Sequence, residues 1–113
     1  MEYYQNHENN SYGVLVSGGF GAGWSTWNKR YKKELACDKR IIEYFLENMS
    51  DKEVEFGGEE IEKDIKLFEE YIESLGYSGV SLIGLDGLGV EWVPFGNDFF
   101  ITEYDGQETL HVC

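Results

Sequence analysis

An α+β fold is predicted by three features of this 113-residue sequence: a short β-branched run near its start, two amphipathic stretches in its middle, and alternating segments punctuated by turn residues in its last third. The order β-α-α-β-β-β predicts an antiparallel sheet with two helices packed on one face. Hydrophobic residues make up 42% of the chain, enough for a core without disulfides or metals, and residues 11–113 are expected to form a single domain.

Residues 1–10 are polar and are expected to be a flexible start. Tyr12 to Ser17 reads as a strand, closed by Gly18-Gly19. The densest glycine run, Gly18 to Gly23, leads into Trp24-Ser25-Thr26-Trp27-Asn28. Asp38 is placed to cap a helix whose apolar residues Ile42, Phe45, Leu46 and Met49 recur at i, i+3, i+4 and i+7. Ser50-Asp51 and Gly57-Gly58 bracket a short connection. A second helix carries the stripe Ile61, Ile65, Phe68, Ile72 and Leu75, with Gly76 as the residue that stops it. Leu88, Val90 and Trp92 alternate with Gly89, Glu91 and Val93 until Pro94 ends the strand. Phe99 to Tyr104 and Gln107 to Val112 flank Asp105-Gly106, the strongest two-residue hairpin signal.

Charge is the most informative part of the composition. Twenty-two acids against nine bases leave a net of −13, which opposes nucleic-acid binding by counterion release and favours a basic partner, although solubility alone is a sufficient reason for it. The bases are not scattered. Residues 29–40 hold Lys29, Arg30, Lys32, Lys33, Lys39 and Arg40 with two acids, a net of +4 that leaves −17 for the rest. On the second helix, Glu59, Glu60 and Glu62 suit the positive end of the helix dipole. Glu69, Glu70 and Glu73 lie toward the negative end, where the dipole disfavours them, so they are either solvated or used by a partner.

Several chemistries are disfavoured. No run approaches the roughly 20 apolar residues of a membrane span, and the first residues lack the features of a secretory leader. Cys37 and Cys113 share no metal-ligand spacing, so neither a metal nor another cofactor is expected and a reducing cytosol is the expected setting. Gly18, Gly23 and Ser25 fit a phosphate-loop pattern, but Trp24 stands where the essential lysine belongs. His7, His111 and Cys37 assemble into no catalytic set, and the hairpin acids Glu103, Asp105 and Glu108 are explained by turn chemistry and edge protection. A non-enzymatic protein is expected.

The glycine run still offers backbone N–H groups that favour an anion. Gly19, Gly21 and Gly23 would admit a ligand, Trp24 and Trp27 could stack on a flat ring, and Lys29 and Arg30 could neutralise it. In the alternative reading, the glycines let both tryptophans fold back into the core.

The segments Gly18-Gly19-Phe20-Gly21-Ala22-Gly23-Trp24-Ser25-Thr26-Trp27 and Trp92-Val93-Pro94, with Phe99-Phe100-Ile101 and Glu103-Tyr104-Asp105-Gly106, resemble a group of small acidic proteins carried by bacteriophages and prophages. The likeness covers about a third of the chain, and members typically carry a glutamate or similar residue where this chain has Phe95. What it implies is origin: small acidic phage proteins often act against host defences, including CRISPR–Cas systems. Two functions are therefore expected. One is an anti-CRISPR-like inhibitor that binds a basic, nucleic-acid-binding host protein through Glu59, Glu60, Glu62, Glu69, Glu70 and Glu73. The alternative is a small-molecule binder, possible as a homo-oligomer, that sequesters a nucleotide-like anion at Gly19, Gly21, Gly23, Trp24, Trp27, Lys29 and Arg30. Both place the protein in the cytoplasm of a host cell.

Overall fold

The structure is a computed structural model that describes residues 1–19, 21–49, 59–85 and 87–113. Its side-chain description excludes residues 59–61, and the expected connection bracketed by Ser50 and Gly58 lies outside the described residues. The elements in chain order are β1 (Gln5–Asn6), β2 (Ser11–Ser17), α1 (Lys32–Cys37), α2 (Lys39–Asn48), α3 (Glu59–Ser74), β3 (Leu88–Pro94), β4 (Phe99–Tyr104) and β5 (Gln107–Val112). Two short 3-10 turns, Ser25–Trp27 and Lys29–Tyr31, connect β2 to α1.

The fold is α+β, and all its strand pairing is antiparallel. The strands form a three-stranded sheet in the order β1-β2-β3 and a separate two-stranded ribbon of β4 and β5. β2 lies at the centre of the fold. Its residue Leu15 packs with Ile41, Ile42 and Phe45 of α2 and with Phe68 and Ile72 of α3. On its other face Val14 and Val16 pack with Val93, Ala36 and Cys37, and with Phe99, Ile101 and Leu110 from the ribbon. A strand covered on both sides needs apolar residues in succession, which is why Val14-Leu15-Val16 does not alternate with polar residues. β3 has one face on the helices: Leu88 and Val90 join the Leu15 cluster, and Val93 turns to the ribbon.

Local signals set the element ends. The Asp38 side chain accepts from the Arg40 amide at 2.9 Å and caps α2. α3 ends in a Schellman arrangement: Gly76 has φ +96, Tyr77 N donates to Ile72 O and Gly76 N to Glu73 O. The β4–β5 turn has φ values of 49 and 86 at Asp105 and Gly106, as a type I′ hairpin demands.

Residues 1–10, expected to be a flexible start, make regular contacts with the rest of the chain. β1 pairs with β2 through Gln5↔Tyr12 and Asn6↔Ser11, and Tyr3 forms a bridge with Asp38. Lys39 N donates to Glu2 O, and the Tyr4 ring lies 6.1 Å from that of Trp92. Two tyrosines in a polar segment were enough to anchor it.

Candidate functional site

The residues on either side of the glycine run surround a carboxylate of the protein's own. Glu108, on β5, is only 4% exposed. Its Oε1 accepts from Ser17 N at 2.9 Å. Its Oε2 accepts from Trp24 N at 3.0 Å, Thr26 N at 2.9 Å and Thr26 Oγ1 at 2.6 Å. The ribbon's tip completes the clasp. Gly21 N donates to Asp105 O at 2.6 Å, and a Cβ on Gly106 would collide with the backbone of Ala22. Glu103 Oε2 accepts from Trp27 Nε1 at 3.0 Å and from Gly106 N at 2.8 Å. Those two donors hold the Glu103 carboxyl below its ordinary value of 4.5.

This geometry separates the two tryptophans. Trp24 is fully buried, stacked on Phe68 at 5.9 Å, and donates its Nε1 to Leu35 O at 2.9 Å. Trp27 is 44% exposed. Asn28 ties the loop down behind them: its Nδ2 donates to Trp24 O and Ser81 O, and its Oδ1 accepts from Ser81 N. Of the expected ligand-binding set, Gly21, Trp27, Lys29 and Arg30 are exposed, Gly19 is partly buried, and Gly23 and Trp24 are buried. The tryptophan expected to stack on a ligand stacks on Phe68 instead, and a carboxylate occupies amides that a ligand anion would need. A second anion brought there would face Glu108 at close range.

The basic window divides as well. Arg40 clasps Asp38 through Nε at 3.2 Å and Nη2 at 2.8 Å, and Tyr77 OH donates to the same carboxylate at 2.6 Å. Burial by itself would raise the Asp38 carboxyl, but hydrogen bonds from Arg40 and Tyr77 outweigh it and hold the group below 3.8. Burial and the Asp38 hydrogen bond push the Tyr77 phenol up. Lys39 lies 3.7 Å from Glu2 and 3.9 Å from Glu43. Among the described residues no carboxylate is within ion-pair distance of Lys29, Arg30, Lys32 or Lys33. Arg30 sits over the Tyr31 ring at 5.2 Å and Lys33 over the Tyr3 ring at 5.8 Å.

α3 presents the expected acids outward. Phe68 and Ile72 are buried, while Glu62, Glu69, Glu70 and Glu73 are exposed. Lys63 and Lys66 share the helix, yet among the described residues no ion pair closes on those four glutamates. The side chains of Glu59 and Glu60 lie outside the described ones.

No protein-family model, curated protein or solved structure matches the chain.

Other chemistry-bearing residues are spread apart. His111 stacks on Phe100 at 4.7 Å and its Nε2 is 2.8 Å from Thr102 Oγ1, whereas His7 sits against Phe95. Burial pushes the Cys37 thiol up to about 12, with Lys33 opposing that shift and Glu34 adding to it. Among the described residues no group of His, Cys, Asp and Glu is arranged to hold a metal ion, and no helix is long and apolar enough to cross a membrane.

Turn chemistry and edge protection do not account for Glu108, whose role sequence reasoning missed. One signal was available. Glu108 shares strand parity with Leu110 and lies opposite Glu103, on the face that carries Phe99 and Ile101 toward the core. A carboxylate on the apolar face of a strand requires donors. The donors it finds, Ser17 N, Trp24 N, Thr26 N and Thr26 Oγ1, flank the glycine run.

Proposed function

We propose that this protein is a non-enzymatic inhibitor that binds a basic surface of a host protein, of the kind phages deploy against host defences. The observation that carries the reading is the outer face of α3. Glu62, Glu69, Glu70 and Glu73 stand exposed there, backed by a helix fixed to the core through Phe68 and Ile72. Rigid backing matters because carboxylates held on a packed helix lose less conformational freedom on binding than those on a loose tail. The net charge of −13 would steer a basic, nucleic-acid-binding groove toward the molecule and let it compete with the nucleic acid.

The test has two stages. Tagged protein is recovered from a bacterial host at low salt and examined by native mass spectrometry. Any co-purifying partner is then purified, and its equilibrium binding is measured against the wild type and a Glu69→Lys, Glu70→Lys, Glu73→Lys variant. The reading expects binding that weakens steeply with salt and falls about a hundredfold in the triple variant. Unchanged affinity in that variant overturns it. A bound mass of a few hundred daltons with no protein partner would replace it with the small-molecule reading.

A further inference from the structure

A cleft of about 700 Å³ lies between α1 and the β4–β5 ribbon, within the range of small-ligand sites. Tyr3 and Tyr12 line it together with Phe99 and Phe100 from β4, of which Phe100 stacks on His111. The tyrosine rings are 5.3 Å apart and tilted by 51°, and Phe100 is 52% exposed. Lys32 and Lys33, with no carboxylate within ion-pair distance among the described residues, line the same cleft from α1. Asp98 is the single acid in the lining.

Ser25 supplies the decisive polar group. It is fully buried, it forms part of the cleft lining, and among the described residues its Oγ has no hydrogen-bond partner. Leaving a buried hydroxyl unpaired costs on the order of 1–3 kcal/mol. Such groups are uncommon in folded proteins, and a ligand atom is one of the few things that satisfies them. Its neighbours Trp24 and Thr26 both donate to Glu108, so the backbone on either side of Ser25 is held in place.

We propose that this cleft is a binding site for a small, flat aromatic carboxylate. The ring would lie against the tyrosines and Phe99, where stacked and edge-on contacts are favourable. The carboxylate would meet the Lys32 and Lys33 ammonium groups, and a polar ring substituent or carboxylate oxygen would engage Ser25 Oγ. A single negative charge suits the lining better than a doubly charged phosphate ester, because Asp98 offsets one of the two lysines. The site is independent of the acidic face of α3.

A titration of isotope-labelled protein with 1-naphthoate, followed by amide NMR shifts, tests this directly. The neutral analogue 1-naphthamide and adenosine monophosphate serve as comparators. Saturable shifts confined to residues 3, 12, 25, 32–37 and 96–101 are expected, with the amide binding about tenfold more weakly or worse. Lys32→Glu with Lys33→Glu, both on exposed side chains, should weaken naphthoate at least about tenfold while leaving the spectrum folded. Ser25→Ala should weaken it by a smaller factor. The absence of saturable shifts, shifts elsewhere, equal binding of the amide or undiminished binding by the double variant would each overturn the site. Tighter binding of adenosine monophosphate than of naphthoate would overturn the ligand class.

Discussion

Glu108 Oε2 accepts a hydrogen bond from the Trp24 amide at 3.0 Å, across 84 residues of chain. One oxygen also serves Thr26 N and Oγ1, and the other serves Ser17 N. The carboxylate thus organises the turn between a central strand and the buried indole that follows it.

Removing that carboxylate strands several donors. Glu108→Ala is expected to cost about 3 kcal/mol, read as a lower urea midpoint. Glu108→Gln should fall between, because its amide oxygen replaces one acceptor while its NH₂ faces other donors. An alanine variant as stable as the wild type would mean that the clasp contributes nothing.

Two glycines with nearly the same backbone separate the clasp from the turn. Gly106 (φ +86) abuts Ala22, whereas nothing lies within 4 Å of the Cβ position of Gly96 (φ +87). Gly96→Ala should cost about 1 kcal/mol, from backbone strain alone. Gly106→Ala should cost about 3 kcal/mol, since the ribbon tip must also leave the loop. Equal midpoints for the two variants would mean that tip and loop are not in firm contact.

The elements fixed by local rules were legible in the sequence, and the contacts between distant segments were not. The Asp38 cap, the Gly76 stop and the Asp105-Gly106 turn each depend on a few consecutive residues, and each stands where the sequence puts it. The outward placement of Glu62, Glu69, Glu70 and Glu73 follows from helical periodicity around Phe68 and Ile72. Trp24 and Trp27 are different. Both follow glycines in a short stretch, and only the contacts with Phe68 and Glu103 decide that one is core and the other surface. The separation of the ribbon from the main sheet was likewise hidden, because strand alternation specifies a buried face and not the partner that covers it.

Acid should weaken the fold through Asp38. Its folded-state value lies below the ordinary 3.8, so its contribution is fully present above about pH 4 and is lost as pH falls through the depressed value. Urea midpoints measured from pH 5 downward should decline in the wild type. They should decline less steeply in Asp38→Asn, which keeps the cap but starts less stable by about 1 kcal/mol from its weakened bonds to Arg40 and Tyr77. Parallel pH curves for the two proteins would remove Asp38 as a source of the acid sensitivity.

Thiol reactivity should be unequal. Cys37 is buried with its thiol pushed up to about 12, and Cys113 is exposed. Iodoacetamide at neutral pH should modify Cys113 in the native protein and reach Cys37 only in urea, as peptide mass spectrometry would record. Fast native labelling of Cys37 would show that the packing between α1 and the ribbon opens readily.

The pairing of Glu108 with residues 17–26 also has a kinetic consequence. Helices α2 and α3 can form from neighbours close in sequence, but the Trp24 and Thr26 amides gain their acceptor only when a segment more than 80 residues away folds onto them. Bringing such distant pieces together carries a loop-closure cost before any contact repays it, so assembly of this corner should set the rate at which the native state is reached. Until then the segment carrying Trp24 has no fixed partner for its amides, and the slow step should coincide with the indole passing from water into the core.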